Sequence, residues 1–340
     1  MSLKKSILVL LTACFTLGTA AVMAAAPEIN AQSACVIDAN TGKELYAKDA
    51  DHRMYPGGTT MIMTSLLGVE SGKLDQPLTI APASQQLPGD VSKLGLYAGD
   101  KVTLRHALTG MMTVGGCDAA IDVAVTVAPT EADFVQQMNA KAAALGATGT
   151  HFTNPTGLPD AKHYSTARDL AKIAAYAMQS SDFRGLVNHT SYDMPYMDSE
   201  TKHCETTNGF LTSGFSGANG VKTGVTNEGG PCLVASATRD GHTLVVSILN
   251  SQSRSADAQS LLTYGFSQLT DTTAPQATAN TTSQAAAAPS KTAAAADTDR
   301  DAEEAYVLRN APAGQTLSSI AAQQRQVQAL SAANAQGAES

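Results

Sequence analysis

The sequence contains no tryptophan, and aromatic residues make up only 5% of its 340 residues. Basic residues are also few: 22 lysines and arginines against 30 aspartates and glutamates give a formal net charge of −8. Nucleic acids and anionic membrane surfaces select proteins of the opposite charge balance, so we predict neither as a partner. An apolar content of 43% suffices for a sizeable core, and one or two folded domains are expected.

Cysteine and metal-binding patterns are sparse as well. The sequence has no C-x-x-C or H-E-x-x-H motif, and its seven histidines are scattered, so we predict no metal and no cofactor. Four cysteines follow the N-terminal region: Cys35, Cys117, Cys204 and Cys232. An even number permits disulfides in an oxidising compartment. We interpret all four as small buried residues, with a bond between Cys204 and Cys232 as the alternative.

The N-terminus has the pattern of a signal peptide. Two lysines precede an apolar run over residues 7–23, and a small-residue cleavage site follows at Ala24. We therefore predict a signal peptide over residues 1–24 and an exported protein, periplasmic or associated with the cell wall, without a transmembrane anchor after cleavage. The sequence Leu-Thr-Ala-Cys resembles a lipoprotein box, so lipidation of Cys14 is the alternative.

Residues 28–270 have the pattern of one mixed α+β domain. Pairs of strand-like segments lie near its two ends, at 33–47 and 232–249, and each pair is joined by a turn containing Gly with Asn or Asp. Helical stretches between them begin at Thr130 and Thr166, where capping residues precede apolar positions. A last helix is predicted over residues 255–264, closed by Gly265. We expect the terminal hairpins to share one antiparallel sheet, flanked by helices, together with a helical subdomain.

A glycine-rich turn opens directly into another predicted helix. Residues 55–70 read YPGGTTMIMTSLLGVE, and apolar residues recur in the second half until Gly72 ends the pattern. Such a turn usually presents a group at a helix N-terminus, where free backbone N–H groups favour an anionic or attacking group. This turn, however, contains no nucleophile with a base beside it.

Four longer stretches resemble the serine-type D-alanyl-D-alanine carboxypeptidases (peptidase S11), which are low-molecular-weight penicillin-binding proteins. In the order of the family, they are FVQQMNAKAAALGATGTHFTNPTGL, HYSTARDLAKIA, GVKTGVTNEGGPCLVASATRDG and LLTYGF. The resemblance implies a β-lactamase/transpeptidase-like fold and an activity on peptidoglycan stem peptides. In this family the motifs S-x-x-K, S-x-N and K-T-G surround one cleft, because a serine hydroxyl needs a nearby base to become nucleophilic.

The first two motifs are degenerate in this sequence. Aligned on its flanks, the glycine-rich turn places Gly58 at the serine nucleophile and Met61 at its lysine. In the second motif, Gly115 replaces the serine and Cys117 replaces the asparagine. The resemblance therefore assigns no catalytic residue to these four positions.

The third motif is intact, and the resemblance assigns substrate binding to its residues Lys222, Thr223 and Gly224. We expect its lysine to be partly exposed and to bind the terminal carboxylate of a stem peptide; a strand kept only for folding is the alternative. Loss of the activated nucleophile leaves only residual rate enhancement in a serine hydrolase. We predict a pseudoenzyme that binds peptidoglycan or regulates an active cell-wall enzyme. The alternative is an active serine-type carboxypeptidase in peptidoglycan remodelling.

Other polar groups near these positions have structural interpretations. Thr59 and Thr60 lack a base, so we interpret their hydroxyls as groups that cap the turn. Cys117 would need Lys222 as a partner to form a thiolate, and we favour a passive thiol. His163 is assigned to local packing or hydrogen bonding.

Composition changes beyond the α+β domain. Residues 271–303 are rich in Ala, Thr, Gln and Pro, which predicts a disordered linker. Residues 304–340 resemble a LysM module, a small peptidoglycan-binding unit, at Tyr306, Gly314 and Leu317 among others. The final strand of that module is not matched, so we expect an incomplete LysM-like segment that favours glycan chains. An amphipathic helical tail is the alternative.

Overall fold

The computed structural model describes residues 25–197 and 200–270. The predicted signal peptide, Cys14, the linker and the LysM-like segment lie outside the described residues and stay predictions. Within the described ranges, no helix is long and apolar enough to cross a membrane. The same ranges contain no group of three or more His, Cys, Asp or Glu side chains that could hold a metal ion.

One antiparallel sheet of five strands forms the centre of the fold, in the order β2-β1-β7-β6-β5. The strands are β1 (Ser33–Asp38), β2 (Glu44–Lys48), β5 (Ala218–Thr226), β6 (Gly230–Arg239) and β7 (His242–Leu249). A separate hairpin consists of β3 (Ser191–Met197) and β4 (Glu200–Glu205). Because β1 pairs with β7 in register, with Val36 opposite Val246, the terminal hairpins share one sheet as predicted.

Both faces of the sheet are covered by helices. All six residues of β1 are buried, as expected for a strand with no solvent-exposed face. On one face, Val36 and Val246 join the smaller core with residues of the C-terminal helix. On the other face, Cys35 and Val245 join the larger core, which also contains the helical subdomain. The predicted α+β class is confirmed.

Eight α-helices lie in the described residues: α1 (Met61–Glu70), α2 (Leu104–Val114), α3 (Cys117–Val127), α4 (Glu131–Ala144), α5 (Ala167–Ala177), α6 (Ser181–Val187), α7 (Gly209–Thr212) and α8 (Arg254–Thr270). The predicted caps are confirmed, because the hydroxyls of Thr130 and Thr166 accept backbone N–H groups at the starts of α4 and α5. Helix α8 runs through Gly265, where an end was predicted. An ideal Cβ on Gly265 would lie 2.8 Å from Leu244, so this glycine allows close packing on the sheet.

Candidate functional site

The glycine-rich turn is a short 3₁₀ helix, Gly57–Thr60, that leads into α1. A second turn, at residues 154–157, packs against it. The side-chain oxygen of Asn154 accepts the backbone N–H groups of Thr156 and Gly157, at 3.1 and 2.8 Å. Gly157 has a φ of +83°, and any Cβ there would overlap the carbonyl of Gly57. The residue at 157 therefore has to be glycine so that the two turns can pack together.

Gly58 lies directly against the third motif. An ideal Cβ on Gly58 would lie 3.0 Å from the carbonyl oxygen of Thr223, and one on Gly224 would lie 2.5 Å from the backbone nitrogen of Gly58. Strand β5 and the turn are thus in backbone contact, which only glycine at 224 permits. At Gly58, the turn presents backbone and no functional group.

Met61 is a core residue, and its side chain is only 1% exposed. It packs among the apolar side chains of the larger core, which include Ile62 and Leu66 of the same helix. A thioether cannot take a proton from a hydroxyl at neutral pH. Met61 therefore has a packing role and no acid–base function.

The two hydroxyls beside Gly58 are buried and bonded. Thr59 Oγ1 donates to the carbonyl of Pro56 at 2.6 Å, and Thr60 Oγ1 lies 2.9 Å from Nε2 of His163. Neither hydroxyl accepts an N–H of the turn or of α1, so the predicted capping role is wrong. The reason is that the buried carbonyl of Pro56 and the buried imidazole are closer partners.

The hydrogen bond at Nδ1 of His163 determines which tautomer the ring adopts. Nδ1 accepts the backbone N–H of Thr153 at 3.0 Å, so the neutral ring carries its proton on Nε2 and donates it to Thr60. Burial lowers the pKa of His163 to about 4. The ring is therefore neutral at physiological pH, and its predicted role in local hydrogen bonding is confirmed.

The second-motif positions form the junction between α2 and α3. Gly115 ends α2 with a φ of +82°, and its N–H donates to the carbonyl of Met111 at 2.8 Å. Cys117 begins α3, and its thiol is buried. Burial raises the pKa of this thiol to about 12, with the charge of Lys222 opposing the shift. This geometry supports the passive thiol over a thiolate nucleophile.

The structure corrects the expected exposure of Lys222, which is only 2% exposed. The lysine lies on β5 opposite Val234, and its side chain points to the α2–α3 junction. An ideal Cβ on Gly115 would lie 3.4 Å from Nζ of Lys222. The lysine is covered because this junction packs directly on the strand.

The three motif regions therefore meet, as the resemblance implies. Gly58 contacts Thr223 and Gly224, while Gly115 borders Lys222. The hydroxyl of Thr223 forms a hydrogen bond with that of Thr207 at 2.9 Å. The arrangement can hold an anion beside a lysine, but it presents no activated nucleophile.

Cys35, Cys117, Cys204 and Cys232 are all free and buried, which confirms their interpretation as small buried residues. The alternative disulfide between Cys204 and Cys232 does not form.

Two buried charged residues near the site were missed by sequence reasoning. Arg254, at the start of α8, donates from Nη1 to the carbonyls of Gly224 and Cys232, at 3.3 and 3.2 Å. These bonds stabilise β5, the strand that carries the third motif, and its neighbour β6. In the sequence, a single arginine at the start of a helix looks like a surface residue, so its burial could not be predicted.

Asp118 is the second missed residue. Its carboxylate accepts three consecutive backbone N–H groups, from Leu94, Gly95 and Leu96, at 2.7, 2.6 and 3.2 Å. These bonds hold the loop between α1 and α2 against the start of α3. An aspartate in the first turn of a helix is common, so its reach to a distant loop could not be predicted.

A cavity of about 630 Å³ lies at the opposite edge of the sheet, beside β2. Its walls include Asp49, Asp51, His52 and Arg168, and Arg168 forms a bidentate ion pair with Asp51. This cavity shares no residue with the three motifs.

Comparisons with known proteins agree with this geometry. Residues 20–253 match the sequence profile of the D-alanyl-D-alanine carboxypeptidases (peptidase S11). The chain is 38% identical over 276 residues to the D-alanyl-D-alanine carboxypeptidase of Streptomyces sp. (strain K15), covering 75% of this chain and 94% of that protein. It is 32% identical over 246 residues to DacF, a D-alanyl-D-alanine carboxypeptidase of Bacillus subtilis (strain 168), covering 70% of this chain and 62% of that protein.

Solved structures show the same fold. The crystal structure of the Streptomyces K15 DD-transpeptidase aligns with a TM-score of 0.65 and 36% identity, covering 72% of this chain and 100% of that chain. A D-alanyl-D-alanine carboxypeptidase from Mycobacterium tuberculosis H37Rv aligns with a TM-score of 0.67 and 29% identity, covering 73% of this chain and 95% of that chain. The β-lactamase/transpeptidase-like fold expected from the sequence is confirmed.

Proposed function

This chain belongs to the D-alanyl-D-alanine carboxypeptidase family (peptidase S11), and from that premise we propose that it is a cell-wall pseudoenzyme. In this proposal the protein is exported and keeps the family's fold without its acylation chemistry. It binds peptidoglycan stem peptides, or regulates an active cell-wall enzyme through the same fold.

The observation that carries the proposal is the chemistry of the first-motif turn. Gly58 has no side chain to acylate, and the buried Met61 cannot act as a base. The neighbouring hydroxyls, of Thr59 and Thr60, are buried and form hydrogen bonds with the carbonyl of Pro56 and with the imidazole of His163. Without an activated nucleophile, a serine hydrolase keeps only about 10³–10⁴-fold acceleration over water.

Binding is supported by the third motif. Lys222 keeps its place on β5 beside Gly115, and Arg254 holds the carbonyl of Gly224. A lysine at the C-terminal end of α2 is favoured by the helix dipole. A ligand carboxylate that enters at Gly115 would meet this cation. Gly58 and Gly115 are only half-buried, so a ligand would have to reach the lysine past these two glycines.

An active carboxypeptidase is the second candidate, and one observation favours it. The thiol of Cys117 lies close enough to Lys222 for the charge of the lysine to lower the thiol pKa. Burial outweighs this attraction and leaves the pKa at about 12, so almost no thiolate is present at neutral pH. The pseudoenzyme is therefore the better supported function.

Intact-mass spectrometry after incubation with excess benzylpenicillin tests the proposal, with an active family member as the positive control. We expect no adduct on this protein. A stoichiometric adduct that disappears in Cys117→Ala, or in Thr59→Val or Thr60→Val, would establish an acylated residue and overturn the pseudoenzyme proposal.

A further inference from the structure

A serine from outside the three motifs lies where the second-motif hydroxyl is missing. An ideal Cβ on Gly115 would lie 3.4 Å from Nζ of Lys222 and 3.7 Å from Oγ of Ser92. The same position is therefore bordered by a cation from β5 and by a hydroxyl from the loop between α1 and α2.

The position of Ser92 is set by the α2–α3 junction. Its carbonyl accepts the backbone N–H of Cys117 at 2.9 Å, and its Oγ donates to the carbonyl of Val114 at 3.1 Å. Two residues later, the loop packs on Gly116, where a Cβ would lie only 2.8 Å from the backbone nitrogen of Leu94. Ser92 is thus held on both sides of Gly115, through its backbone carbonyl to Cys117 and through its hydroxyl to Val114.

Residue 115 itself is poorly suited to carry a hydroxyl in this backbone. Its φ of +82° lies in the left-handed region, which residues with a Cβ rarely adopt. The same conformation ends α2. A hydroxyl beside Lys222 is therefore more easily supplied by a neighbouring loop than by position 115.

The pair has the chemistry of a carboxylate site. The Ser92–Val114 hydrogen bond, at 3.1 Å, is longer than the usual 2.5–3.0 Å of an O–H···O bond. Rotation of the hydroxyl hydrogen exchanges this weak bond for a charge-assisted bond to an anion, which is about twice as strong as a neutral one. A lysine and a serine hydroxyl together offer one donor to each oxygen of a carboxylate.

We propose that Ser92 supplies the hydroxyl that Gly115 lacks, and that Ser92 Oγ and Lys222 Nζ together bind the terminal carboxylate of a peptide ligand. This inference rests on the proposed binding function and adds to it a residue from outside the three motifs. Ser92 acts here as a binding residue, and no covalent step is involved.

Isothermal titration of the purified full chain tests this pair. The probes are N-acetyl-Lys-D-Ala-D-Ala as the free acid and the same peptide with a C-terminal amide. Ser92→Ala should weaken binding of the acid about tenfold and change binding of the amide less than twofold. Adding Ser92→Ala to Lys222→Met should cost less than Ser92→Ala costs alone, because two groups that bind the same carboxylate do not act independently.

Ser84→Ala is the matched control, since its buried hydroxyl donates to a carbonyl, that of Ala81, in the same loop. It should bind the acid like the unmodified protein. Ser92→Cys, which keeps the size of the side chain but loses a strong donor, should repeat the loss of Ser92→Ala even if the alanine variant folds poorly.

Unchanged affinity of both Ser92 variants for the acid would overturn the Ser92 inference and leave the proposed function standing. Equal losses for acid and amide would also overturn it, because they indicate a structural role. If the unmodified protein binds neither peptide, the stem-peptide function fails, and the Ser92 inference fails with it.

Discussion

Nε2 of His163 donates a hydrogen bond to Oγ1 of Thr60 at 2.9 Å, and both side chains are buried. The bond joins the turn that leads into α1 to the segment before α5, 103 positions later in the chain. The first-motif turn is therefore still held in place, although it presents no nucleophile.

His163 should make the stability of the protein fall as the pH drops. Its folded pKa of about 4 lies below the usual value of 6.5, so the unfolded chain binds a proton first. The stability from the neutral imidazole is complete above pH 6.5 and is lost as the pH falls towards 4. We would measure urea unfolding at pH 7 and at pH 4.5. At pH 7, His163→Asn should be less stable than the unmodified protein. Between pH 7 and pH 4.5, the unfolding free energy of the variant should fall by about 2 kcal/mol less than that of the unmodified protein. His52→Asn, at an exposed position, is the control, and parallel pH profiles for all three proteins would contradict the prediction.

Asp122 should have the opposite pH dependence. This buried carboxylate accepts the N–H of Ala81 through Oδ1, and its Oδ2 has no hydrogen-bond partner among the described residues. Burial raises its pKa to about 6, from 3.8. Its contribution is therefore complete below pH 3.8 and is lost as the pH rises through 6. We expect Asp122→Asn to stabilise the protein by about 1–3 kcal/mol more at pH 8 than at pH 4, measured by urea unfolding. A variant that is equally destabilised at both pH values would refute this.

Met61→Lys, which introduces a lysine where the family resemblance predicts one, should destabilise the protein. The side chain is 1% exposed, so the substitution buries an ammonium group without a carboxylate partner in the core. We expect a loss of about 3–5 kcal/mol, as for an unpaired buried charge. Met61→Leu is the matched control and should cost less than about 1.5 kcal/mol. Thermal and urea unfolding measure both, and an unchanged melting temperature for Met61→Lys would show that position 61 is not buried.

Gly224→Ala should disrupt the contact between β5 and the first-motif turn. The added Cβ would lie 2.5 Å from the backbone nitrogen of Gly58, and neither backbone segment can move away cheaply. We expect a loss of about 2–4 kcal/mol in unfolding free energy. Gly185→Ala in α6 is the control, because its Cβ would meet no atom within 4 Å, and it should stabilise by up to about 1 kcal/mol. Similar effects of the two substitutions would contradict the close approach.

Local patterns in the sequence were sufficient for much of the fold. The boundaries of β1 and the starts of α4 and α5 depend on apolar alternation and on caps such as Thr130 and Thr166, which act within a few residues. The pairing of the terminal hairpins followed from the order of the elements, with strands at both ends of the domain and helices between them. The continuation of α8 through Gly265 did not follow, because packing on Leu244 decides it.

The sequence by itself determined the family and the absence of side-chain chemistry at Gly58 and Met61, since residue types alone decide whether a nucleophile and a base exist. Only the tertiary structure decided that Lys222 is buried, that Arg254 supports the carbonyl of Gly224, and that Ser92 lies beside Gly115. These properties come from close approaches between residues far apart in the chain, such as Gly115 and Lys222. Such contacts depend on how whole elements pack, which no local periodicity or motif spacing encodes.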